Sequence, residues 1–153
     1  MAIREIRKDS DEILRKISKK VDKIDERIIT LLDDMKNNMN KAEGIGLAAP
    51  QVGVLRRAAV IDVGEGIIEL VNPVIVYEHG TQAEEEGCLS IPGESGIVKR
   101  PAKVIVRAIN RNGETFEIAG TELLARALCH EIDHLNGILF TDKVIKEDGK
   151  GTK

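Results

Sequence analysis

The chain has 153 residues, of which 42% are hydrophobic and 32% charged, and a formal net charge of -3. That balance fits one soluble globular domain spanning residues 1–153 and excludes a disordered chain. Aromatic residues make up only 2%, and Lys and Arg are interspersed with acids, so the sequence offers neither a base-stacking platform nor a basic patch for nucleic acid. The N-terminus alternates charged with apolar residues, and no run approaches the length of a membrane span, so neither a signal peptide nor membrane insertion is expected. A cytoplasmic location with Cys88 and Cys129 reduced follows as the expectation.

Asp9 and Glu12 have the spacing of a capping box, and Ile13, Leu14 and Ile17 behind them predict a short amphipathic helix. Ile24, Ile28, Leu31, Leu32, Met35 and Met39 then recur at helical spacing in a longer helix that stops before Gly44. The period changes in the middle of the chain. Residues 58–63, 67–77, 97–109 and 114–118 are rich in Val and Ile and are broken by Gly, Pro and Asn signals, which predicts antiparallel strands. Asn112-Gly113 predicts a hairpin turn with both central residues at positive φ. From Thr121, an expected N-cap, to Leu135 the pattern is helical again and ends near Asn136-Gly137. The expected fold is α+β, with antiparallel strands around a central C-terminal helix, helices at the N-terminus, and a tail over about 141–153 whose last residues, KEDGKGTK, fray.

The last helix carries HEIDH, His130 to His134. Each helical residue advances about 100°, so His130 and His134 share a face with Glu131 on its flank. Two imidazoles so placed, with an adjacent acid, form a metal-hydrolase signature in which the Glu is the general base. A catalytic site needs a third protein ligand and an open position. His79 lies in a polar turn, and Cys129 points about 120° away from the middle of the histidine pair. Cys88, in EEEGCLSIPGESG, is either a buried strand cysteine or the missing ligand, and the need for a third ligand favours the second. Upstream, GIGLAAPQVG follows a helix and runs into Pro50, a context that rules out a dinucleotide fingerprint. Its glycines suit close approach of backbone to a substrate, and Gln51 can offer an amide N–H to an oxyanion.

In this order, GIGLAAPQ, EGCLS and HEIDH resemble the three signature motifs of the peptide deformylase family, of the compact bacterial type, over almost the whole chain. The resemblance implies metal ligands at Cys88, His130 and His134, with Glu131 as general acid/base. It also implies oxyanion donors at Gln51 and the backbone N–H of Leu89, and peptide-holding backbone at Ile45 and Gly46. One divalent ion is implied, Fe2+ in the native enzyme with Zn2+, Ni2+ or Co2+ able to substitute, where residue types alone suggest zinc. The implied substrate is a nascent chain beginning with formyl-methionine. Leu123 and Ala127, on the histidine face of the helix, are expected to line the methionine pocket, with Arg126 on its rim. Cys129 stands where many members have Gln. The chain ends soon after HEIDH without the basic C-terminal helix that some bacterial members use to dock on the ribosome, which leaves at most a transient ribosome contact, and a monomer is expected. Asp133 either orients a ligand loop, through Arg100, or faces solvent. Two alternatives stand beside this reading: an HExxH metallopeptidase cutting internal bonds, for which Glu147 is the only later Glu, and a non-catalytic metal-binding module.

Overall fold

In the computed structural model residues 3–145 are described; the expected fraying of 146–153 lies outside them. The apolar stripe of the second predicted helix forms α1, Glu26–Lys41, with Ile28, Leu31, Leu32, Met35 and Met39 buried. Asp25 caps it by accepting the Ile28 N–H at 3.1 Å. The first predicted helix is shorter than its pattern. It is a single 3-10 turn, Glu12–Arg15, and its cap is Asp11, not Asp9. With Ile17 70% exposed, one buried side chain, Leu14, is all that this segment anchors.

After α1 come β1 (Gly46–Ala48), a 3-10 turn (Ala49–Val52), β2 (Ala58–Ile61), β3 (Ile68–His79), β4 (Gln82–Cys88), β5 (Ile91–Arg100), β6 (Lys103–Ile109), β7 (Thr115–Thr121) and α2 (Glu122–Leu135). One sheet has the order β1-β2-β3-β6-β7 and a second pairs β4 with β5, all neighbours antiparallel. The run 97–109 is thus two strands in different sheets. Pro101 separates them because it has no N–H to give a ladder. Thr121 is the cap position of α2, as expected, but its side chain makes no capping bond.

The turn at 112–113 also differs from expectation. Only Gly113 has positive φ, at 81°. The Asn110 N–H donates to the Glu114 carbonyl, the Gly113 N–H donates to the Asn110 carbonyl, and Asn110 Oδ1 accepts from the N–H groups of Asn112 and Glu114. This is a tight turn followed by one left-handed residue, the longer hairpin solution, in which the Asn110 side chain replaces the second positive φ.

Two apolar layers form, one under each helix. Leu31, Leu32, Met35 and Met39 of α1 pack on Leu47, Ala58 and Val60. On α2, Ala125, Leu128, Cys129 and Ile132 pack on Ile61, Leu70, Val104 and Val106. The helix contacts strands of both sheets. Its end is fixed by a Schellman motif in which the Gly137 and Ile138 N–H groups donate to the carbonyls of His134 and Asp133. Gly137, at φ 76°, leaves no room for a Cβ because the Arg15 carbonyl lies 2.5 Å from where it would sit. Arg57 donates to the Leu135 carbonyl and to Asn136 Oδ1, both at 2.9 Å, and covers the same helix end. Gly137→Ala is expected to cost about 1–3 kcal/mol in chemical denaturation, combining left-handed strain with the clash; an unchanged midpoint would show that the turn relaxes freely.

Residues 140–145, which the sequence pattern placed largely in the tail, dock on the second sheet. Phe140 is buried, Asp142 forms a bidentate pair with Arg15, Val144 bridges to Val98, and the Ile145 N–H donates to the Ile97 carbonyl.

Candidate active site

The second sheet turns back on itself at Cys88 and Ile91, which pair across the bend. That bend brings Cys88 against α2. Its Sγ lies 3.3 Å from His134 Nε2, and ligand atoms of Cys88, His130 and His134 all fall within 4.8 Å of one another. The two imidazole centroids are 5.0 Å apart, as one helical turn allows. Three soft or borderline donors in this space suit a single tetrahedral-type divalent ion with one position left open.

The protonation of the set agrees with that fit. Burial works against a charge on His130, but contacts with the Cys88 sulfur and the Glu86 carboxylate outweigh it and raise its pKa to about 10. Burial and the neighbouring His130 push His134 well below its ordinary value. A metal ion held by these donors would compete with a proton on His130.

Glu131 is 3% exposed, and its Oε1 has no hydrogen-bond partner among the described residues. Burial raises its pKa to about 7, against the pull of His130. Its other oxygen faces Gly46, where any added Cβ would overlap the carboxylate. That contact explains a glycine in β1 at this point. Gln51 is 1% exposed, with its Oε1 on the Ala48 N–H at 2.9 Å and its Nε2 3.6 Å from Cys88 Sγ.

A cleft of about 480 Å³ opens over these groups. Ile45 and Gly46 line one part of it and Leu89 another, while Leu123, Arg126 and Ala127 of α2 contribute as well. All ten candidate residues lie in this one region: nine line the cleft, and His134, 1% exposed, lies beneath it in the donor cluster. Arg126 is on the rim and donates to Gln82 Oε1 at 2.7 Å. His79 ends β3, 6.5 Å from Tyr77 in a stacked pair, and Cys129 is buried in the core with its thiol pushed up to about 11 by burial.

Sequence reasoning missed Glu86. Arg100, 3% exposed, donates through Nε and Nη2 to Glu86, both at 2.9 Å, and through Nη1 to Asp133 at 2.6 Å. Glu86 Oε1 in turn lies 3.2 Å from His130 Nδ1. Burial would raise the Glu86 pKa, but the bonds from His130 and Arg100 hold it at about 2. A carboxylate on Nδ1 leaves Nε2 free to bind a metal. Asp133 is thus joined through Arg100 to the strand that carries Cys88 rather than only facing solvent.

Residues 3–150 match the family model for polypeptide deformylase. The chain belongs to the peptide deformylase family. It is 69% identical over 147 residues to a peptide deformylase of Alkaliphilus metalliredigens, covering 96% of this chain and 100% of that one. The crystal structure of a Legionella pneumophila peptide deformylase superposes with a TM-score of 0.91 at 51% identity, covering 94% of this chain and 87% of that one. A Synechococcus elongatus peptide deformylase solved in complex with actinonin gives 0.91 at 40% identity, covering 94% and 80%. With this membership goes the activity: hydrolytic removal of the formyl group from the N-terminal methionine of newly made proteins, by a metal-dependent enzyme. No helix among the described residues is long and apolar enough to cross a membrane.

Proposed function

We propose that Cys88, His130 and His134 hold one ferrous ion, that Glu131 moves the proton, and that Gln51 Nε2 and the Leu89 N–H receive the oxyanion during deformylation. The reading is supported chiefly by the convergence of three donor atoms within 4.8 Å beside a buried carboxylate whose Oε1 has no hydrogen-bond partner among the described residues. When bound, the ion activates water and polarises the formyl carbonyl. Ile45 and Gly46 offer the backbone of an edge strand to an extended peptide. Leu123 and Ala127 line the pocket for the methionine side chain, which leaves the formyl group towards Gln51 and Glu131. Glu131 takes the proton from water and delivers it to the departing amine. The buried setting excludes bulk water from the developing charge and strengthens each donor aimed at it.

Family membership favours Fe2+ over the zinc that residue types alone suggest, with Zn2+, Ni2+ or Co2+ as substitutes. The same reading takes the protein as a cytoplasmic monomer that meets the ribosome at most transiently. Anaerobic release of formate from a formyl-Met peptide, beside an unformylated control, tests the function, and cleavage of an internal bond instead would favour a metallopeptidase. In the same assay Cys88→Ala is expected to lose the metal by elemental analysis and with it turnover. Cys129→Ala, altering a thiol inside the apolar core, should retain both. The reverse pattern would move the third ligand to the other cysteine.

A further inference from the structure

The Gln51 carboxamide is held at both ends. Its Oε1 accepts the Ala48 N–H at 2.9 Å, and its Nε2 donates to Ser90 Oγ at 3.1 Å while lying 3.6 Å from Cys88 Sγ. With the oxygen end fixed, one amide hydrogen goes to the serine and the other points at Cys88 Sγ, towards the donor cluster. A carboxamide torsion is intrinsically broad, so a single bond to Ala48 does not set the plane. The Ser90 hydroxyl is the second point that does, at 3.1 Å against 3.6 Å for the weaker sulfur acceptor of Cys88. Ser90 is itself fully buried at 0% exposure. Its carbonyl accepts the Asp9 N–H at 2.9 Å, and two residues earlier the Arg7 N–H donates to the Gln51 carbonyl at 2.7 Å. Residues 7–9 thereby lace together the backbones of two residues that are 39 apart in sequence.

We propose that Ser90 is a positioning residue for deformylation: its hydroxyl, anchored by residues 7–9, fixes the plane of the Gln51 carboxamide so that one N–H stays aimed at the forming oxyanion. This rests on the reading of Gln51 as an oxyanion donor. A donor oriented beforehand stabilises charge without reorganising as it appears, and hydrogen bonds weaken steeply as the angle departs from linear. The benefit falls on the transition state, because the formyl oxygen is neutral in the bound substrate.

Ser90→Ala is expected to lower kcat by about tenfold, less than full removal of an oxyanion donor, with KM within about twofold and metal content unchanged. The deciding measurement is a double-mutant cycle on a formyl-Met peptide. Ser90→Ala should cost about tenfold in kcat in the wild-type background and less than about twofold in a Gln51→Ala background. An equal factor in both backgrounds overturns the inference, because a merely structural role would act regardless of Gln51. A Gln51→Ala enzyme with undiminished kcat would instead overturn the oxyanion reading itself. Should Ser90→Ala not unfold cooperatively, Asp9→Pro enters the same cycle. It deletes the N–H that holds the Ser90 carbonyl, and a Gln51-dependent loss of kcat is expected; no loss, or one independent of Gln51, overturns the proposal.

Discussion

Glu131→Ala should keep its metal and lose turnover by about 10²–10⁴-fold, the usual contribution of a positioned general acid/base. The carboxylate is outside the three-donor cluster and makes no hydrogen bond at Oε1 among the described residues. Removing it therefore takes away proton transfer and leaves the ligands in place. Elemental analysis together with steady-state rates checks both halves, and near-normal turnover with metal bound would remove Glu131 from the reaction. The pH dependence has a defined sign. With Glu131 as the proposed base its ionised form is required, so kcat/KM is expected to fall as pH falls. In the metal-free chain burial sets the Glu131 pKa at about 7, and a neighbouring cation lowers it, which places the acid limb below pH 7. Stability runs the opposite way. A carboxyl raised from 4.5 to about 7 gives a contribution fully present below pH 4.5 and lost as pH rises through 7. Metal-free Glu131→Gln should thus exceed the wild type in stability at pH 8 by about 1–3 kcal/mol, the expected mark of a charge held in an apolar place for function.

Arg100→Met should cost about 3–5 kcal/mol in chemical denaturation, the range for removing one partner of a buried ion pair. Its guanidinium is 2% exposed and sits between Glu86 at 7% and Asp133 at 13%. The opposing charges raise the Arg100 pKa despite burial and hold Glu86 low, so removing the arginine leaves buried Glu86 with His130 alone and Asp133 with only the more exposed Lys143. The effect is also local. Glu86 is on the strand that leads to Cys88, Asp133 is on the helix between the two histidines, and the arginine ties one to the other. Metal affinity should fall by about 10–100-fold in competition with a chelator, as for other supports behind metal ligands. Adding Glu86→Gln to the variant should restore part of the stability by neutralising one stranded charge. A loss below about 1 kcal/mol for Arg100→Met would show that water reaches the network and screens it.

The parts of the fold that were legible in sequence are those with a long, regular period. The run from Thr121 to Leu135 gave α2 nearly to the residue, and the stripe from Ile24 to Met39 gave α1, although Ile24 lies just before its cap, Asp25. β1 has three residues, too few for any alternation to register. β4, QAEEEGC, is mostly exposed and pairs with one neighbour only, so burial left no apolar imprint on it. The candidate site was legible where chemistry is concentrated in a few adjacent residues, as in HEIDH. It was illegible where the determinant is a tertiary pairing. Among Glu84, Glu85 and Glu86 nothing local tells which one turns inward, because the choice is made by Arg100, 14 residues away, and by His130, 44 away. Ser90 was hidden for the same reason, its partner Gln51 lying across the first and second motifs.

The docking of residues 140–145 on the Cys88-bearing sheet has a temporal side. Phe140 stacks on His130 with centroids 6.3 Å apart, Lys143 reaches Asp133 at 3.1 Å, and Val144 and Ile145 add to the outer edge of β5. During synthesis the hairpin emerges first, α2 next, and the segment that clasps them together only after both. The three donors can therefore meet before anything clasps the strand and helix that carry them, and residues 140–145 close that join afterwards.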